Sequence, residues 1–235
     1  ALRAIAVSSV VLFHFNNKWV PSGFIGVDVF FVISGFLMTG IIFSGMERNE
    51  FSTIKFIKSR IDRIFPPLLI LCVFVLTIGV FLLPPYELKK IAKHLLGSIS
   101  FLSNFVYLSE SGYFDTNSQT KWLLHTWSLS IEWQFYLIYP ILLSILKRYY
   151  SLERLKWIIL IIAISSLVIS VIISPKFPNA SYYMLPTRAW EMLIGSIAYL
   201  YPIRLKGFYK ESTFYSGLVL VISACFIFDE SSVWP

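Results

Sequence analysis

Charge is what this sequence has least of. Lys, Arg, Asp and Glu together make 14% of its 235 residues, where a soluble domain carries about a quarter. That scarcity argues against a water-soluble fold with a solvated charged shell. Cysteine is nearly absent too. Cys72 and Cys225 both sit inside apolar runs, where a thiol behaves as a small hydrophobe, so neither a disulfide framework nor a metal set follows from them. The net charge of +7 is spread over the chain with no nucleic-acid motif beside it, so no nucleic-acid partner is expected. No cleavable secretory signal is visible at the start.

What the chain does have is apolar length. Hydrophobic residues make up 57% of it and the mean hydropathy is +0.72. A span needs about 20 apolar residues, and candidates lie roughly at 2–16, 24–45, 66–83, 122–146, 157–174, 188–203 and 213–228. The expected fold is all-α, a polytopic transmembrane helix bundle of about seven to eight helices.

Basic residues orient the bundle. The connection from Met46 to Phe65 holds Arg48, Lys55, Lys58, Arg60 and Arg63, and the positive-inside rule makes it cytoplasmic. Lys147, Arg148, Arg154 and Lys156 then fall on that same side, as do Arg204, Lys206 and Lys210 two spans later. The apolar stretch from Ile91 to Leu108 breaks the parity if it crosses once, so a hairpin, a re-entrant segment or an interfacial helix is expected there. The polar 111–121 stretch is placed outside.

Ionisable residues inside such a chain mark functional paths, because lipid makes them costly. Arg3 and His14 stand eleven residues apart in the run ALRAIAVSSVVLFHF. On a helix that spacing leaves them about 20° apart on one face and about 16 Å apart along the axis. The assigned sides put Arg3 near the cytoplasmic face and His14 near the outer one, with Asp28 expected at the depth of His14. Asp28, Gly35 and Thr39 share a face of the second span, with Gly35 making room for a neighbour or a ligand. His125, Ser128 and Glu132 share a face of a later one. Plainer readings exist: His14 or Asp28 as snorkelling or capping groups, Glu132 in an ion pair with Arg188, and Arg60 and Arg63 as topological charges. The tryptophans Trp122, Trp127, Trp133, Trp157 and Trp190 fit interfacial or packing roles.

Several segments together resemble one family. ALRAIAVSSVVLFHF is similar to the first helix of the membrane-bound acyltransferase-3 family, whose arginine and histidine, ten residues between them, fall on Arg3 and His14. GFIGVDVFFVISGFLMTGII resembles its second-helix motif, FIKSRIDRIFPPLL its paired-arginine motif on Arg60 and Arg63, LLHTWSLSIEWQFYLIYP its glutamate block, and TRAWEMLIGSIAYL a block carrying Arg188 and Glu191. Glu132-Trp133 stands where the family usually has two adjacent glutamates, and the usual aspartate-glycine before the first-helix motif is not in the sequence. The resemblance implies a ten-helix domain, so residues 1–235 are expected to be one acyltransferase domain that is truncated at its start and incomplete at its end.

It further implies an integral-membrane O-acetyltransferase of the bacterial cytoplasmic (inner) membrane. The acetyl group would pass from cytoplasmic acetyl-CoA, a co-substrate with no resident cofactor, to a hydroxyl of an extracytoplasmic glycan or lipid-linked sugar. Arg3, Arg60 and Arg63 are the candidate donor ligands, since arginine forks suit phosphate oxygens. A sugar hydroxyl needs a base, and histidine titrates in the useful range. His14 is the catalytic candidate, either as base or as acyl carrier, with Asp28 orienting it and Glu132 as a further acid/base group. Ser34, Gly35, His125, Ser128, Arg188 and Glu191 are assigned to the lining of the acceptor path. The competing reading is a transporter or flippase for a small anion or lipid-linked sugar.

Overall fold

In the computed structural model the described residues are 2–111, 121–203 and 205–227, and among them helices are the regular structure throughout. The order is α1 (Leu2–Phe15), a 3-10 turn (Gly23–Ile25), α2 (Gly26–Glu47), α3 (Thr53–Leu82), α4 (Pro85–Ile99), α5 (Ser103–Glu110), α6 (Thr126–Lys147), α7 (Leu152–Ile173), α8 (Pro178–Tyr183), α9 (Leu185–Leu200) and α10 (Phe208–Ile227). The segment around the 3-10 turn and α2, together with α3, α6, α7 and α10, gives five helices long and apolar enough to cross a membrane. The protein is a multi-pass membrane protein. Most of the outer-placed 111–121 stretch, Arg204, and the residues from 228 onward lie outside the described residues.

Local chemistry explains the element ends. Ser52 caps α3 by accepting the Lys55 amide at 3.4 Å, and Ser151 does the same for α7 with Arg154, each satisfying an amide the first turn leaves unpaired. Asn49 closes α2 in the left-handed region, φ 56°, while the amides of Glu50 and Phe51 return to the Gly45 carbonyl. Asparagine is among the few residues that adopt this cap readily.

Two expectations change. The connection from Met46 to Phe65 is not a loop: α3 begins at Thr53 and runs 30 residues through Pro66 and Pro67. Tandem proline marks a break in a soluble helix, yet in membrane helices the freed backbone groups find other partners. Arg60 therefore lies about 10 Å along α3 from its start, not in a boundary loop. The stretch from Ile91 to Leu108 is a helical hairpin. α4 stops at Phe101, φ 55°, whose ring stacks on Trp133 at 4.6 Å, and α5 runs back beside it. Lys93 Nζ and His94 Nε2 meet opposite oxygens of Glu110 at 2.7 and 2.8 Å, so the hairpin's two open ends share one side and the parity closes.

α2 and α9 form the tightest contact. A Cβ on Gly35 would stand 1.8 Å from the Met192 carbonyl oxygen, and one on Gly195 1.9 Å from that of Val32. Glycine here lets two backbones touch, the membrane small-residue packing mode. Polar ties then set which helix ends meet: Ser44 with Tyr199 at 3.0 Å and Thr53 with Ser144 at 2.8 Å at one membrane surface, Asp28 with Arg188 at 2.7 Å toward the other.

Candidate active site

A cavity of about 610 Å³ lies among α1, α2, α6 and α8. Its long wall is the aliphatic stripe of α1, Ala6, Val7, Val10 and Val11, which ends in His14. Facing it are Val27 and Phe30 of α2, Trp127 and Ser128 of α6 and, just before α6, His125. The rings of His14 and His125 meet edge to face, centroids 4.4 Å apart at 72°. At the other end the Arg3 guanidinium stacks over Phe30, 5.2 Å from the ring centre. The shared face of Arg3 and His14 thus flanks one continuous groove.

Deeper along α6 is a closed polar cluster. Glu132 is buried, and one of its carboxylate oxygens accepts hydrogen bonds from Ser34 and Tyr136. Arg3 and Arg60 lie within electrostatic range of that carboxylate, and Arg60 is also in range of Tyr136 and Arg63. The Nε atoms of Arg3 and Arg60 are buried without a hydrogen-bond partner among the described residues. Unsatisfied buried donors are rare. Arg63 joins Lys55, Lys58, Ser59 and Asp62 around a shallow basic hollow on the outside of α3.

A third cluster is centred on Arg188, 1% exposed. Its Nη1 donates to Asp28 Oδ1 at 2.7 Å and to Glu191 Oε1 at 2.8 Å, its Nε to the Tyr182 carbonyl at 3.2 Å, and it packs against the rings of Tyr182 and Trp127. The ion pair considered between Glu132 and Arg188 is therefore replaced: Arg188 serves two other acids, and Glu132 is served by hydroxyls. The shared depth expected for Asp28 and His14 is revised as well. Gly23 abuts Ser9 and Phe13, and Gly26 abuts Ala6, Ser9 and Val10, so Asp28 stands level with α1 near Ala6, about two turns from His14. By the same register Arg3, over Phe30, lies inside the bundle, about 25 Å from the cytoplasmic end of α2 at Glu47, and not near that face as expected.

Of the lining residues expected, His125 and Ser128 border the cavity. Gly35 is closed off by the Met192 backbone, and Ser34, Arg188 and Glu191 are buried between helices. Two participants were not anticipated. Tyr136 stands one turn after Glu132, a spacing that would have placed it on the same face. Trp127, read by type as an interfacial or packing residue, lines the cavity and packs against Arg188.

The family model described as an acyltransferase domain matches residues 1–234. The chain is 34% identical over 207 residues to "Peptidoglycan O-acetyltransferase OatA" of Listeria monocytogenes, covering 86% of this chain and 33% of that protein. It is 32% identical over 205 residues to "O-acetyltransferase OatA" of Staphylococcus aureus, covering 86% and 34%. An uncharacterized protein of Haemophilus influenzae is 35% identical over 182 residues, 74% of each chain. The chain spans about a third of the length of the two OatA relatives. No solved structure matches it. The match to the family model over residues 1–234 shows that the chain belongs to the acyltransferase-3 family of acyltransferase domains.

Proposed function

We propose that this protein is the membrane part of an O-acetyltransferase that takes an acetyl group from cytoplasmic acetyl-CoA and delivers it to a hydroxyl of an extracytoplasmic carbohydrate. Peptidoglycan is the favoured acceptor, from the named activity of the Listeria relative, and the bacterial inner membrane is the expected location. The observation that carries the reading is the groove itself, with cationic Arg3 at one end and two histidines at the other.

The donor carries several phosphates, and the basic hollow of Lys55, Lys58 and Arg63 offers them charge at the surface where α3 begins. Arg3 and Arg60, each with a buried unpaired Nε, lie deeper and are suited to the carbonyl and amide oxygens of the donor arm. The acetyl thioester then extends along the Val7–Val11 stripe toward His14. There the imidazole removes the proton from the sugar hydroxyl, the alkoxide oxygen bonds to the acetyl carbon, and the carbon–sulfur bond breaks to release coenzyme A thiolate. An alternative order has His14 take the acetyl group first, releasing the thiolate, and pass it to the sugar oxygen. His125, against the His14 ring, lines the acceptor side with Ser128. Asp28 acts from its ion pair with Arg188, holding α2 and α9 where the groove needs them. Glu132 holds Arg3 and Arg60 in place.

The test is transfer of labelled acetyl from acetyl-CoA to glycan in vesicles bearing the protein. His14→Ala should insert normally and transfer nothing. Full transfer by that variant would sink the proposal, and net movement of an unmodified solute would favour a transporter. A labelled acyl-histidine at His14, trapped without acceptor, would choose the second order of events.

A further inference from the structure

Three lysines crowd a membrane boundary that the positive-inside rule would keep free of them. Lys89, Lys90 and Lys93 sit in the first turns of α4, which follow the C-terminal end of α3 and so lie at the surface opposite Lys55, Lys58 and Arg63. Lys93 is held by Glu110 and Lys90 by Glu87 at 3.5 Å and the Tyr86 ring. Lys89 is exposed and has no ion-pair partner among the described residues. Topology does not ask for this cluster, since basic residues contribute to orientation by being on the other side.

Directly below it is a groove of about 300 Å³ with a wholly aliphatic and thiol lining. Leu69, Cys72, Val73 and Leu76 supply one wall, from α3. Ala92, Leu95, Leu96 and Ile99 supply the other, from α4, at the same helical spacing. Gly79 meets Leu88 and Ile91 at the top, so the two walls run antiparallel in register, and the groove extends for about 10 Å into the bilayer. Lys89 stands about one turn above Ala92, and Lys89 and Lys93 share a helix face with Leu96. Cationic groups sit at the mouth of an apolar channel that opens to lipid.

We propose that the α3/α4 groove is a binding site for one acyl chain of an anionic membrane lipid, whose phosphate rests on Lys89 with Lys90 and Lys93 beside it. The chemistry is complementary at both ends: basic clusters at a bilayer surface attract anionic headgroups, and an aliphatic channel takes a hydrocarbon chain. Lysines that merely snorkelled would also attract anionic headgroups, but the lipid they held would not depend on the groove beneath them. The site is on the α3/α4 side of the bundle, outside the groove of His14, and stands or falls independently of the acetyl-transfer reading.

Native mass spectrometry of the detergent-purified protein, offered phosphatidylglycerol and phosphatidylcholine with identical chains, tests it. Retention of phosphatidylglycerol over phosphatidylcholine is expected, and the preference should fall by about fivefold for each charge removed in Lys89→Gln and Lys90→Gln. Ala92→Phe, which fills the groove and leaves the lysines intact, should lose the retained lipid. Equal retention of the two lipids, a preference unmoved in the double lysine variant, or undiminished retention by Ala92→Phe would each overturn the proposal. Displacement of the lipid by inorganic phosphate would reduce the site to an ion contact and overturn the groove as its seat.

Discussion

The histidine groove and the Arg188 cluster lie on the same half of the bundle and are built on opposite terms. His14 and His125 are both exposed, their walls are mostly aliphatic and aromatic, and their rings meet edge to face. Arg188 is 1% exposed, with two carboxylates, a backbone carbonyl and two rings around it. A group that must exchange protons with a substrate has to be reachable by it, whereas a buried cation needs its countercharges inside the protein. Exposure therefore separates scaffold from chemistry in this molecule better than residue type does, since both clusters consist of ionisable groups.

The sharpest way to break that contrast is Arg188→Met. It leaves Asp28 and Glu191 buried without their cation, which costs about 3–5 kcal/mol; thermal unfolding in detergent should show a collapse of the folded population, and a melting temperature near wild type would dissolve the distinction. Gly35→Val comes next. Its side chain would enter the Met192 backbone, and overpacking costs typically about 1–3 kcal/mol, read as a lowered melting midpoint that Gly35→Ala reproduces in weaker form.

Glu132→Gln keeps the shape and an acceptor for Ser34 and Tyr136 while removing the charge that faces Arg3 and Arg60. It should cost about 1 kcal/mol in stability yet raise the apparent KM for acetyl-CoA several-fold; an unchanged KM would assign Glu132 wholly to the scaffold. His14→Ala and His125→Ala should leave the melting temperature nearly unmoved, within about 0.5 kcal/mol, with acetyl transfer abolished in the first and reduced in the second. The smallest effect concerns the hairpin clasp. Burial works to raise the Glu110 pKa, but hydrogen bonds from Lys93 and His94 outweigh it and hold the carboxyl below its usual value. A depressed carboxyl pKa contributes stability above the unfolded value of about 4.3 and loses it as pH falls through the folded value. Amide exchange in α4 and α5 should quicken only below about pH 4, and Glu110→Gln should abolish that dependence.

The apolar runs for α1, α2, α6, α7, α9 and α10 were legible in the sequence, because a bilayer demands length and hydrophobicity and little else. The start of α3 was not. Pro66 and Pro67 read as a boundary, and the cost that makes them one in water is met differently in a packed membrane bundle. The turn at Phe101 carries no glycine or asparagine to announce a left-handed residue; its conformation is sustained by stacking on Trp133, a contact 32 residues away in sequence. The face that joins Arg3 to His14 follows from helical geometry and was readable directly. Partners across helices were not: nothing local tells Arg188 to choose Asp28, 160 positions distant, over Glu132, and only the α2/α9 glycine contact brings that pair together.

The backward turn at Phe101 decides more than the path of two short helices. Membrane insertion counts crossings, and a chain that ran straight through residues 100–102 would deliver α6 inverted, with Lys147 and Arg148 on the far surface and His125 away from His14. One backbone angle, sustained by one stacked indole, thus acts as a parity bit for everything downstream: it settles on which side of the bilayer the second histidine meets the first.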